Sequence, residues 1–295
     1  MSSNIARALS TLAALGVACV TVAALEIHAS RAGSLQTRPP STDRLVAATI
    51  DYVRGYQEAF RFLVADEVSE QRVLLPSVSH EAPSQSRDTR GEMFLTYLDV
   101  ERQWTAVHDV MEVNGVAVAD RDDLPALLRQ GTFASVARRI FDRNERFNIG
   151  RVRRNFNDPM LALLPFTQER RSRFSFSRGA IDPGPRAPAS ITLAFQERER
   201  PTIVRNVSGG PVFARGAVVI DPATSVVHKA TISFRHDEVD AELTTDFVWE
   251  DKLSLWVPSV FTERYEARRE KSADVTTVES RYSNYRRFEV TGRLR

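Results

Sequence analysis

The stretch AVVIDPATSVVHKATISFR, Ala217 to Arg235, decides the fold. It belongs to two runs of β-forming residues, Val212 to Ile220 and Val226 to Arg235, parted by the turn Asp221-Pro222-Ala223-Thr224. Outward from it the same grammar repeats: Arg173 to Phe176, Ile191 to Glu197, Ala241 to Trp249, Ser259 to Ala267 and Val275 to Val290 all read as strands, with a loop at Asp182 to Ala189. Seven consecutive strands with no helix between them predict hairpin-connected antiparallel pairing, because parallel neighbours need long crossovers.

Upstream the pattern is mixed. Leu45, Thr49, Tyr52, Tyr56 and Phe60 fall on one stripe, predicting an amphipathic helix capped by Thr42 or Asp43. Phe62 to Leu75, with Val64, Val68 and Val73, reads as the first strand and Ser77 to Arg90 as a polar loop. Met93 to Val100 and Trp104 to Val118 are the next strands, the second folded into a hairpin at Asn114-Gly115, a pair that tolerates the positive φ of a tight turn. Phe133, Val136, Ala137, Ile140, Phe141 and Phe147 then repeat at three and four, and Pro159 to Leu164 reads as a shorter helix. The expectation is an α+β domain over residues 43–295: a large curved antiparallel sheet, a half-barrel, with an N-terminal helix and a helical insert (about 123–164) packed on its concave face.

Residues 1–30 read as a signal peptide: a short n-region ending at Arg7, a charge-free run from Ala8 to Leu25, and small residues at Ala29 and Ser30. Residues 31–42 follow as a Pro- and Ser-containing linker. The apolar run also approaches the ~20 residues a membrane anchor needs, and Cys19, preceded by Gly16-Val17-Ala18, stands as an acylated lipoprotein cysteine would. With cleavage the exported domain, periplasmic or secreted, has no thiol and no disulfide, so its core alone stabilises it.

The net charge of +2, with three lysines against many arginines and acidic residues in nearly equal number, gives no basic face for nucleic acid. No Gly-rich phosphate loop, His-Glu-x-x-His, Gly-x-Ser-x-Gly or Cys-x-x-Cys occurs, and no cofactor is implied. His80, His108, His228 and His236 are too widely spaced to announce a metal site, and none is expected. Asp109, Glu112, Asp120, Asp122 and Asp123 surround the Asn-Gly hairpin; three apart on a strand, Asp109 and Glu112 point to opposite faces, so a solvated rim is the simpler reading than an acid-base pair. The run Arg138, Arg139, Arg143, Arg146, Arg151, Arg153 and Arg154 is the densest positive region. It suits the solvated face of a helix, or peripheral contact with lipid headgroups through Arg138, Arg143, Arg151, Arg153 and Arg154.

Val113-Asn-Gly-Val-Ala-Val118 followed by Asp122-Asp-Leu124 resembles the middle of a PDZ domain, without that family's Gly-Leu-Gly-Phe-like carboxylate loop. Arg102 to Val118, Phe147-Asn-Ile-Gly-Arg-Val-Arg-Arg154, Gly216-Ala-Val-Val-Ile-Asp-Pro-Ala-Thr224, Leu255-Trp-Val-Pro258 and Arg281-Tyr-Ser-Asn-Tyr-Arg-Arg-Phe-Glu-Val290 together resemble a group of uncharacterised secreted bacterial proteins. The strand-rich half is similar in architecture to periplasmic lipoprotein carriers of the LolA, LolB and RseB type, in which an incomplete barrel wraps helices and shelters acyl chains or a protein segment. The first reading is an exported, non-enzymatic binding protein for a lipid or acylated partner, whose curved sheet and helical lid would enclose an apolar groove lined by Phe133, Ile140, Phe141, Leu161, Leu164, Phe247 and Trp249. A hydrolase using Asp109, Asp120 or His108, and an envelope module docking by strand addition or through the arginine-rich helix, are the other readings.

Overall fold

The computed structural model describes residues 40–74, 83–124, 126–127, 131–152, 154, 158–182, 189–206, 208–236, 239–267 and 274–288. The residues read as a signal peptide, Cys19 among them, most of the linker, His80, Arg153 and most of the Asp182 to Ala189 loop lie outside them. No helix among the described residues is long and apolar enough to cross a membrane.

Helix α1, Thr42–Ala59, begins where the Ser41 hydroxyl accepts a hydrogen bond from the Arg44 amide at 3.3 Å, satisfying one of the orphan donors of its first turn. It buries Leu45, Val46, Thr49, Ile50, Val53 and Tyr56, and the chain turns out of it through Phe62 at φ 55°. There follow β1 (Leu63–Leu74), β2 (Gln85–Leu98), β3 (Gln103–Val113), β4 (Val116–Ala117), helix α2 (Phe133–Asn144), a 3-10 segment (Leu161–Phe166), then β5 (Phe174–Asp182), β6 (Ser190–Glu197), β7 (Val204–Arg205), β8 (Pro211–Val212), β9 (Ala214–Ile220), β10 (Val227–Arg235), β11 (Val239–Glu250), β12 (Leu255–Ala267) and β13 (Asp274–Arg287). Eleven strands form one antiparallel sheet in the order β4-β3-β2-β1-β13-β12-β11-β10-β9-β6-β5, open at both edges; β7 and β8 pair separately. The last strand seats itself between β1 and β12.

The inner face of this curved sheet carries the main core. Leu63 and Ala65 of β1, Met93 and Leu95 of β2 and Ala106 of β3 join Leu193, Val218, Ile232, Leu243 and Phe261 around α1 and the 3-10 segment. Tyr56 stands edge-on to Phe60 at 4.6 Å between ring centres and stacks towards Phe247. A fully buried Val, Leu, Ile or Phe is worth about 1.5–3 kcal/mol, so this one cluster dominates the favourable side of folding.

The helical insert reaches both faces. Its 3-10 end lies on the inner face against α1, β9, β10 and β11. Its longer helix, α2, lies on the outer face of β1–β3, where Phe133, Val136, Ala137 and Ile140 meet Val64, Phe94 and Val107. Alternation explains this: Val64 and Phe94 sit between residues already committed to the inner core, so the same strands present a second apolar surface behind. The loop expected from Ser77 to Arg90 is corrected, since Gln85 onward is strand: β2 runs beside β1 from Gln85, its first residues mostly exposed, with Thr89 alone buried among them.

Glycine is required where β9 runs against β10. A Cβ at Gly216 collides with the Thr231 carbonyl of β10 and lies 2.6 Å from the Phe195 ring. Gly216→Ala is therefore expected to lower stability by about 1–3 kcal/mol, read as a lower midpoint in urea unfolding with the slope unchanged.

Candidate functional site

Strand β1 turns its chemistry inside out halfway along. Leu63 and Ala65 face the core, and the same face continues with Glu67, Ser69 and Gln71, each under a tenth exposed, while Val68 points outward at 41%. Neighbouring strands answer in kind: His108 of β3, Glu263 of β12 and Ser280 of β13 are all buried on this face. His108 Nδ1 and Glu67 Oε2 lie 2.7 Å apart, Ser280 donates to Ser69 at 3.0 Å, and Tyr265 donates to Glu263. Between them lies a chamber of about 50 Å³, walled on its apolar side by Val110, Phe261 and Val278, with room for a few water molecules or one small polar group.

A strap of chain, Asn144 to Arg154, covers it. Gln71 holds the strap: its amide donates to the Phe147 carbonyl at 3.1 Å, and its oxygen accepts from the Ile149 amide at 3.3 Å and from Arg154. Asn144 donates to the His108 carbonyl, Arg154 to Asn148 at 2.8 Å, and Arg151 pairs with Asp274 at 3.1 Å. Gly150, at φ 82°, passes so close to Thr276 that a Cβ there meets its hydroxyl. Beyond the strap, Thr245 donates to the Pro159 carbonyl and anchors the start of the 3-10 segment.

Burial controls the ionisation here. It raises the Glu263 carboxyl above its usual range, with Arg154 and the Tyr265 hydroxyl pulling the other way, and it pushes the Tyr265 phenol well up. Asp158 is raised to about 6 by the same desolvation, opposed by the Met160 amide and by His108. Arg154 is 6% exposed; its Nε has no hydrogen-bond partner, and no carboxylate lies in ion-pair range of it among the described residues.

The residues expected to line one groove are distributed over three places. Leu164 and Phe247 are in the inner core with Leu161 packed against it; Phe133 and Ile140 are in the outer cluster under α2; Phe141 and Trp249 are on the surface, at 37% and 46% exposure. Trp249 continues the inward face of β11 but lies near the β11–β12 turn, edge-on to Trp256. The arginine cluster is largely neutralised: Arg139 and Arg143 pair with Asp122 and Arg146 with Asp120, whose carboxyl it holds down near 2. Arg154 is a correction, an inward-facing residue of the chamber instead of a lipid-facing one, because Gln71 and Asn148 draw it under the strap. Of the three candidate hydrolytic residues, His108 faces the chamber, whereas Asp109 is on the opposite face against Arg121 and Asp120 is exposed, so they do not converge. Sequence reading missed Glu67, Ser69, Gln71, Glu263 and Ser280; the available signal was the odd-numbered polar run of β1.

No protein-family model matches the chain, and no curated protein is similar to it. Solved structures similar to it include a putative outer membrane lipoprotein-sorting protein domain from Vibrio parahaemolyticus, 8% identical over 81% of this chain and 91% of that one, with a TM-score of 0.32. A DUF1329 family protein from Desulfovibrio piger is 9% identical over 85% and 94%, also at 0.32. The MucA/MucB complex of Pseudomonas aeruginosa gives 8% over 81% and 98%, at 0.19.

Replacing Gln71 with Leu strands the Ile149 amide and part of Arg154. It is expected to cost about 1–3 kcal/mol and to speed amide exchange in the strap before the rest of the sheet, measured by hydrogen exchange. Asp158, whose proton is held more tightly in the folded than in the unfolded chain, stabilises the fold below pH 4, and that contribution is lost as pH rises through about 6. Allowing for its partial exposure, the loss is about 2 kcal/mol. Asp158→Asn should flatten this limb in unfolding curves taken from pH 4 to 7.

Proposed function

We propose that the protein is an exported, non-enzymatic binding protein, periplasmic or secreted, that holds a lipid or the acyl group of a partner against the inner face of its sheet. The observation that supports this reading is how the face is covered. An open sheet is lined by α1 and by one short 3-10 segment, in which Leu163 and Phe166 are fully buried. The segment contains Pro165 and makes only one-turn hydrogen bonds, so it is a plug of a few residues, held at its start by Thr245. An acyl chain takes the place of this plug against α1, with Leu161, Leu164 and Phe247 as its nearest walls. Each methylene it buries gains about 0.8 kcal/mol, which offsets the contacts the plug gives up.

The test is thermal unfolding of delipidated protein with fatty acid, phospholipid or acylated peptide. At a hundredfold excess over the dissociation constant, binding adds about 2.7 kcal/mol by mass action, a rise of about 5–10 °C for a chain of this size. An unchanged midpoint with all three guests rejects the reading.

A further inference from the structure

We propose that the chamber under the strap is a binding site for a small oxyanion, a carboxylate or phosphate group, seated against the guanidinium of Arg154. Three observations on this chain lead there, and none depends on the acyl-binding reading.

The first is an unneutralised charge. A guanidinium taken out of water is costly unless it meets an opposite charge or a full set of acceptors. Arg154 meets two neutral amide oxygens, those of Gln71 and Asn148, while its Nε donor has no partner among the described residues. The second is space in the right place. The chamber that Arg154 lines is walled by the strap and by five strands of the sheet, and its volume of about 50 Å³ suits a carboxylate or phosphate group. The third is the state of the surrounding acids. Glu67 is engaged by His108, and Glu263, which accepts from Tyr265, is biased towards its neutral form by burial. That bias lessens the competing negative charge at the wall, to which Ser69, Thr89 and Ser280 add hydroxyls. One oxyanion then fills the missing acceptor at Nε and the missing negative charge together.

The alternative is that Arg154 is the structural counter-ion of Glu263, with water filling the chamber. Calorimetric titration separates the two. The probes are inorganic phosphate and acetate as free anions, and decanoate and a lysophosphatidate as lipid-borne ones, each added to wild type and to Arg154→Gln, Arg154→Lys and Glu263→Gln. Saturable binding of at least one probe is expected, weakened at least about tenfold by Arg154→Gln, as for loss of a hydrogen bond to a charged group, and largely restored by Arg154→Lys. Glu263→Gln should bind as tightly as wild type or more tightly. Binding of phosphate or acetate identifies a free anion as the source, and binding of only the two amphiphiles identifies a lipid headgroup; both support the site. No saturable heat from any probe, or equal affinity in Arg154→Gln, overturns it. Should Arg154→Gln fail to fold, Glu263→Gln decides: loss of anion binding together with a lowered melting temperature makes Arg154 the counter-ion and removes the site.

Discussion

An antiparallel sheet that does not close has more inner face than a single helix can cover, and the rest of this structure follows from that shortage. Eleven strands spaced about 4.8 Å apart present roughly 50 Å of width, whereas the 18 residues of α1 extend for about 27 Å. Where α1 lies, the sheet shows it Leu, Ile, Val and aromatic side chains. Beside it the 3-10 segment adds a second apolar patch. Where both end, the face turns polar within a single strand, between Ala65 and Glu67.

That polar stretch stays folded because its groups are tied to one another and to the strap. Each backbone amide and carbonyl of the strap that Gln71 reaches would otherwise be left unsatisfied under cover, at a cost comparable to a lost hydrogen bond. The network is therefore both lid and floor: the same side chains that close the chamber also line it. Arg154 keeps its Nε without a partner among the described residues, and it stands where strap and sheet meet.

Much of the architecture was legible in the residues. Turn chemistry at Asp221-Pro222 and Asn114-Gly115, together with runs such as Ala241 to Trp249, placed most strands, because hairpins depend on local φ preferences and alternation. The start of β2 was not legible: Gln85-Ser-Arg-Asp-Thr-Arg is a strand held by pairing with β1, and its sequence carries no apolar alternation to show it. The same cause hid the chamber. Polar residues that face inward at Glu67, Ser69 and Gln71 look like solvent-facing ones until the partner strands are known, and Val68, one of the β-formers of that stretch, is the residue that points outward. The second face of β1–β3 was hidden too, since Phe133 and Ile140 have the same periodicity whichever side of a sheet they cover.

The placement of β13 has a consequence for the order in which the molecule comes together. Ser69 and Ser280 touch across 211 residues of sequence, and among the described residues β13 alone joins β1 to β12. Until it arrives, β1–β4 and β5–β12 are two separate half-sheets, each with an unsatisfied edge. Loop closure over such a span is only modestly dearer than over a short one, but it comes late, because β13 follows the other described strands in sequence. The half-site carrying Glu67, Gln71 and His108 and the strand carrying Glu263 thus remain strangers until the final hairpin docks. Without β13, which supplies Val278 and Ser280 to its wall, there is no chamber, whatever the other strands have achieved.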